Sequence, residues 1–101
     1  MKILALEVER PGLGPADFAP HLAAEARAVW DLQQRDVVRE IYFRADRHAA
    51  VLVLECPHPE AARAALAGLP LVRAGLIDFE LVPLAPYPGL GRLFAEAPVP
   101  G

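Results

Sequence analysis

The stretch Ala49 to Glu55 (Ala-Ala-Val-Leu-Val-Leu-Glu) is apolar on both of its faces. In an extended strand alternate side chains point to opposite sides of the sheet. Ala50, Leu52 and Leu54 therefore share one face, and Val51 and Val53 the other. A strand with this pattern is an inner strand covered on both sides. Residues 2–8 repeat it, with Leu4, Leu6 and Val8 opposite Ile3 and Ala5. Residues 76–82 place Ile77, Phe79 and Leu81 opposite Asp78, Glu80 and Val82. Whatever the chain folds into must supply cover for two sides of one sheet.

The other segments supply cover for one side. Pro15 suits the first turn of a helix, where its missing N–H is no loss. Residues 16–34, rich in Ala, Leu, Glu and Gln, read as a long helix. Pro20 lies in its early turns, so the regular part begins near that proline. Residues 37–44, β-branched and aromatic, read as a second strand, and Ala45–His48 as the hairpin loop to the third. Pro59 opens a short second helix that ends near Gly68, with His58 as a solvated residue before it. Residues 69–75 read as a connection holding Pro70. After Pro83 the chain is too rich in proline for regular structure. The order is β-α-β-β-α-β, an α+β, ferredoxin-like unit with a four-stranded antiparallel sheet and two helices on one face. We assign residues 1–85 to this domain and 86–101 to a Pro-rich C-terminal tail.

Two helices leave the second sheet face uncovered. With 54% apolar residues in 101, the chain carries more oil than one small core hides. An apolar sheet face of several hundred Å² is rare on a soluble monomer. A second copy packed face to face, forming a dimeric α/β barrel, resolves this. The alternative is that the tail folds back over that face.

Several function classes drop out. A formal net charge of −3 argues against a nucleic-acid surface. The chain contains neither Ser nor Thr, so there is no serine nucleophile. The single cysteine, Cys56, forms no internal disulfide and no cysteine-based zinc site. It has no base beside it and reads as core. Three scattered histidines lack ligand spacing, so no metal is expected. Gly12-Leu13-Gly14 lacks the rest of a phosphate-binding loop and reads as a turn. No apolar run reaches membrane-spanning length and no signal-peptide pattern opens the chain, so a soluble cytoplasmic protein without membrane partners is expected.

One residue breaks the helical pattern. Phe18, Leu22, Val29 and Leu32 form the core-facing stripe of the first helix, and the remaining place in it is Glu25. At about 100° per residue Glu25 lies within about 20° of Phe18. Burying an unpaired carboxylate is costly and raises its pKa. A carboxylate tuned upward in an apolar pocket suits proton abstraction next to a carbonyl. Two other readings remain: an ion pair with an arginine from the sheet, or a helix rotated so that Glu25 meets solvent. His21, one turn earlier, is in reach of Glu25 and able to tune it or relay a proton. On strand 2, Arg39 shares a face with Val37, Ile41 and Phe43, while Tyr42 and Arg44 share the other with Val38 and Glu40. Arg39 either clamps a substrate carboxylate near Glu25 or sits at the dimer interface. Tyr42 either donates to a developing enolate or serves the interface. Trp30 lies at the helix flank.

Three stretches resemble the muconolactone isomerase family. Glu25 to Gln33 is similar to that family's Glu-containing first helix, with the family's Glu on Glu25. Val38 to Arg44 is similar to its second strand, with an Arg on Arg39 and an aromatic on Tyr42. Leu69-Pro70-Leu71, Asp78-Phe79-Glu80 and Pro86-Tyr87-Pro88 resemble its Leu-Pro-Leu, Asp-x-Glu and His-Pro ending. The sequence departs from that family at Leu22, where a helix Lys is replaced, at Asp46-Arg47, which replace a Gly-His, and in its apolar third strand. The resemblance implies a ferredoxin-like fold dimerising through its sheets and assembling further, up to a decamer. It also implies a cofactor-free proton shift within an unsaturated lactone from aromatic breakdown. Glu25 would be the base, with His21 beside it, and Arg39, Tyr42 and Trp30 would bind the small-molecule substrate. Two rival readings are a cofactor-independent monooxygenase on the same barrel, using Trp30, Tyr42 and His21, and a non-catalytic small-ligand or assembly module.

Overall fold

A computed structural model describes residues 1–94. The prolines at 98 and 100, part of the tail assignment, lie outside the described residues. The elements run β1 (Lys2–Glu9), α1 (Pro15–Phe18), a 3₁₀ turn (Ala19–His21), α2 (Leu22–Gln34), β2 (Val38–Phe43), β3 (Ala50–Glu55), α3 (Pro59–Ala67), α4 (Pro70–Arg73), β4 (Ile77–Pro83) and a second 3₁₀ segment (Pro88–Phe94). The four strands form one sheet in the order β2-β3-β1-β4, with every neighbouring pair antiparallel. This is the expected ferredoxin-like α+β arrangement.

The long first helix is broken near Pro20, as its sequence suggests. A proline has no N–H to donate and crowds the preceding turn. The chain passes through a 3₁₀ turn there before α2 begins at Leu22. At its other end α2 stops in a left-handed residue, Asp36, at φ 61°. Two bonds close this end: Val37 N–H to Leu32 O at 3.0 Å and Asp36 N–H to Gln33 O at 3.1 Å. That pattern usually uses glycine, and aspartate is among the few residues that tolerate it. His58 caps α3, its Nδ1 accepting the Ala61 N–H at 3.1 Å. The segment after Gly68, expected as a plain connection, holds the single turn α4 started by Pro70.

The core lies between the sheet and the helices. Ile3, Ala5, Leu52, Leu54 and Phe79 meet Leu32, Ala62, Leu66 and Leu71, all buried. Cys56 is buried with them, and its desolvation pushes the thiol pKa up, which keeps it inert.

Strand 2 differs from the expected alternation. Val38 pairs with Leu54, but the next partner of β3, Val53, pairs with Glu40. Arg39 is the extra residue of a β-bulge. The bulge shifts the parity of the strand. Val38 is fully buried on the helix side with Ile41 and Phe43 beyond it, while Glu40 and Tyr42 take the other side.

On that other side Leu4, Leu6, Val51 and Val82 are half-buried, and Tyr42 and Val8 are exposed. The described part of the tail does not bury its own apolar side chains there. Leu90, Leu93 and Phe94 are 62, 75 and 86% exposed. No helix among the described residues is long and apolar enough to cross a membrane.

Candidate active site

A cleft of about 680 Å³ opens between the helix layer and the β2–β3–β1 part of the sheet. Its walls are apolar: Phe18, Leu22 and Val29 from the helices, Ile41, Phe43 and Leu52 from the sheet, and Leu69, Leu71 and Phe79 at its base. Phe18, Glu25 and Val29 share the helix stripe that faces this space.

Among the described residues Glu25 has no ion-pair partner, and it is not free in solvent. Its Oε1 accepts the backbone N–H of Leu71 at 2.9 Å, in a half-buried setting. Leu71 is the second residue of α4. The first N–H groups of a helix have no partner within it, and the Glu25 carboxylate supplies one. Burial raises the Glu25 pKa above its ordinary 4.5, and the Leu71 N–H and the charge of nearby His21 partly offset this.

A second carboxylate faces the same cleft. Glu7 continues the helix-side parity of Ile3 and Ala5 along β1, and it lines the cleft with Glu9. Burial raises its pKa as well. The Ala50 backbone N–H and His48 lower it, whereas the charges of Glu9 and Glu25 raise it. Glu25 is thus close enough across the cleft for its charge to oppose the ionisation of Glu7. His48, from the β2–β3 hairpin, stacks on Phe43 with ring centroids 4.6 Å apart and an interplanar angle of 18°. It too lines the cleft.

Of the residues singled out from sequence, Glu25 and Trp30 line the cleft; Trp30 is 60% exposed at its rim. His21 is near Glu25 without forming part of the wall. Arg39 and Tyr42 are not brought to it in the single chain. The bulge aims Arg39 along the outer strand, where its Nε donates to Asp36 O at 2.9 Å and its charge acts on Glu55. Tyr42 lies on the far face and donates its hydroxyl to Glu40 Oε1 at 2.6 Å. Sequence reasoning missed Glu7 and His48. The signal for Glu7 was present: it has the parity of two core residues on an inner strand. For His48 there was none, because its place depends on how the hairpin folds over Phe43. Among the described residues no three His, Cys, Asp or Glu side chains come together in a group able to hold a metal.

An apolar cleft containing a fixed carboxylate of raised proton affinity can take a proton from carbon next to a carbonyl. Gln33, Trp30 and His48 are the lining side chains with N–H groups to offer an oxygen.

No family model matches the sequence, and no curated protein does. Solved structures do. The crystal structure of muconolactone isomerase is similar at a TM-score of 0.71 and 26% identity, over 87% of this chain and 92% of that one. The 5-chloro-2-hydroxyhydroquinone dehydrochlorinase of Burkholderia phenoliruptrix AC1100, in complex with 2,5-dihydroxybenzoquinone, is similar at a TM-score of 0.66 and 16% identity. That match covers 84% of this chain and 94% of the other. The chain thus has a muconolactone isomerase-like, ferredoxin-like fold, and both neighbours are of the dimeric α/β barrel superfamily.

Proposed function

We propose that this chain is a cytoplasmic enzyme of the muconolactone isomerase type, moving a C=C bond in an unsaturated lactone or related small carbonyl compound from aromatic breakdown, without a cofactor. The observation that carries this reading is Glu25: a carboxylate held by one backbone N–H inside an apolar cleft, with its proton affinity raised. The similarity to muconolactone isomerase supports it from outside.

In this reading the Glu25 carboxylate removes a proton from the carbon α or γ to the carbonyl. The C–H electron pair becomes part of a dienolate, whose negative charge rests on the carbonyl oxygen. Glu25, now protonated, returns the proton at the other end of the conjugated system, which fixes the new double bond and restores the carboxylate. The Leu71 N–H holds one oxygen of Glu25, leaving the other to face the ligand. Donors on the wall, Gln33, Trp30 and His48, stabilise the enolate oxygen. His21 tunes Glu25 from beside it.

The reading extends to assembly. Leu4, Leu6 and Val51 lie on a sheet face that no helix packs against, and a second copy covering that face makes a homodimer from which larger assemblies grow.

Glu25→Gln tests the chemistry. The amide keeps an oxygen for Leu71 but is not a base. Turnover of a butenolide substrate should fall by about a hundredfold or more, with the thermal unfolding midpoint retained. A variant as active as the parent would end the proposal.

A further inference from the structure

The cleft is electrically one-sided. Glu7 and Glu9 line it from the sheet and Glu25 from the helix layer, and no Lys or Arg lines it among the described residues. The arginines that could have reached it are engaged elsewhere. Arg44 makes two bonds to Asp46, at 2.8 and 2.7 Å. Arg39 is held by Asp36 O, and the Arg10 guanidinium lies beside Gly75. Among the described residues His48 is the one lining group able to carry positive charge, and it lies against Phe43 beside Glu7.

A ligand carboxylate entering this space would meet two like charges, Glu7 and Glu25, in half-buried, largely apolar surroundings that weaken screening, and a third, Glu9, at the exposed edge. It would find no guanidinium fork, the usual device for recognising a carboxylate. An uncharged ring of similar size would bury its faces against Phe18, Val29 and Phe43 at no such cost. We infer that the cleft selects an uncharged ligand, an unsaturated lactone or enone carrying no carboxylate. This inference rests on the proton-shift reading for its chemistry, but it departs from muconolactone itself, whose ring bears a carboxymethyl group.

Two probes separate the alternatives: muconolactone, and β-angelica lactone, which has the same butenolide ring with a methyl in place of the carboxymethyl. Binding is followed by ligand-observed NMR, and proton transfer by the rate of deuterium incorporation from heavy water. The expected result is that the full-length protein binds and exchanges β-angelica lactone at least tenfold better than muconolactone. Glu7→Gln should narrow the gap severalfold by improving muconolactone binding. Preference for muconolactone, binding of neither probe, or a gap unchanged in both Glu7→Gln and Glu9→Gln overturns the inference. Faster exchange of muconolactone would do so while leaving the proton-shift reading intact. Tenfold tighter, Glu7-dependent binding of β-angelica lactone without any exchange would uphold the selectivity and defeat the proton-shift reading.

Discussion

Glu25 and Leu71, 46 residues apart, are joined by a carboxylate-to-backbone hydrogen bond of 2.9 Å that ties α2 to the first turn of α4. The bond gives one side chain two duties. It closes the open end of a short helix, and it fixes the orientation of the group proposed as the base.

The two duties separate by substitution. Glu25→Ala strands the half-buried Leu71 N–H and should cost about 1–3 kcal/mol of stability. Glu25→Gln keeps an acceptor and should cost much less. Urea unfolding of both variants checks this; equal losses would mean that the bond contributes nothing.

The raised pKa values of Glu7 and Glu25 set a pH dependence of stability. Both groups hold their protons more tightly in the folded chain than at the ordinary value of 4.5 expected when unfolded. Their contribution is therefore fully present below about 4.5 and lost as pH rises through the raised folded values. Relative to a Glu7→Gln, Glu25→Gln double variant, the parent should gain in melting temperature as pH is lowered from 7 toward 4.5. A difference that stays flat across that window would contradict the assignment.

Arg39, on the bulge, bonds to Asp36 O rather than entering the cleft. Arg39→Ala should leave KM and kcat for a butenolide within about twofold of the parent, well under the factor of ten that 1.4 kcal/mol represents. A large rise in KM would show that Arg39 reaches a ligand after all, from this protomer or a neighbouring one.

The succession of strands and helices along the chain, the helix break at Pro20 and the anomalous place of Glu25 were legible because each follows from local sequence pattern. The two-faced apolar pattern of Val51 and Leu52 could mean only an inner strand. The fate of Arg39 and Tyr42 was not legible. A bulge inserts one residue and reverses the side of every later side chain, and nothing in Val38-Arg39-Glu40 announces it. α4 was hidden because a single turn has too few residues for periodicity to show. The bond from Glu25 to Leu71 depends on it and stayed hidden too.

Leu6, half-buried on the sheet face away from the helices, tests the assembly. A charge in the middle of an apolar interface is left unpaired and desolvated. Leu6→Asp should turn a dimeric or larger species into a monomer by sedimentation at micromolar concentration. A parent that sediments as a monomer would remove the need for a partner copy.

The most direct test of the central claim is the rate at which ring protons of β-angelica lactone and muconolactone exchange with heavy water, followed by NMR with the parent and with Glu25→Gln. The parent should accelerate exchange for at least one of the two lactones, and Glu25→Gln, folded and equally able to bind it, should not. Equal acceleration by both proteins, or none by the parent, would contradict the account.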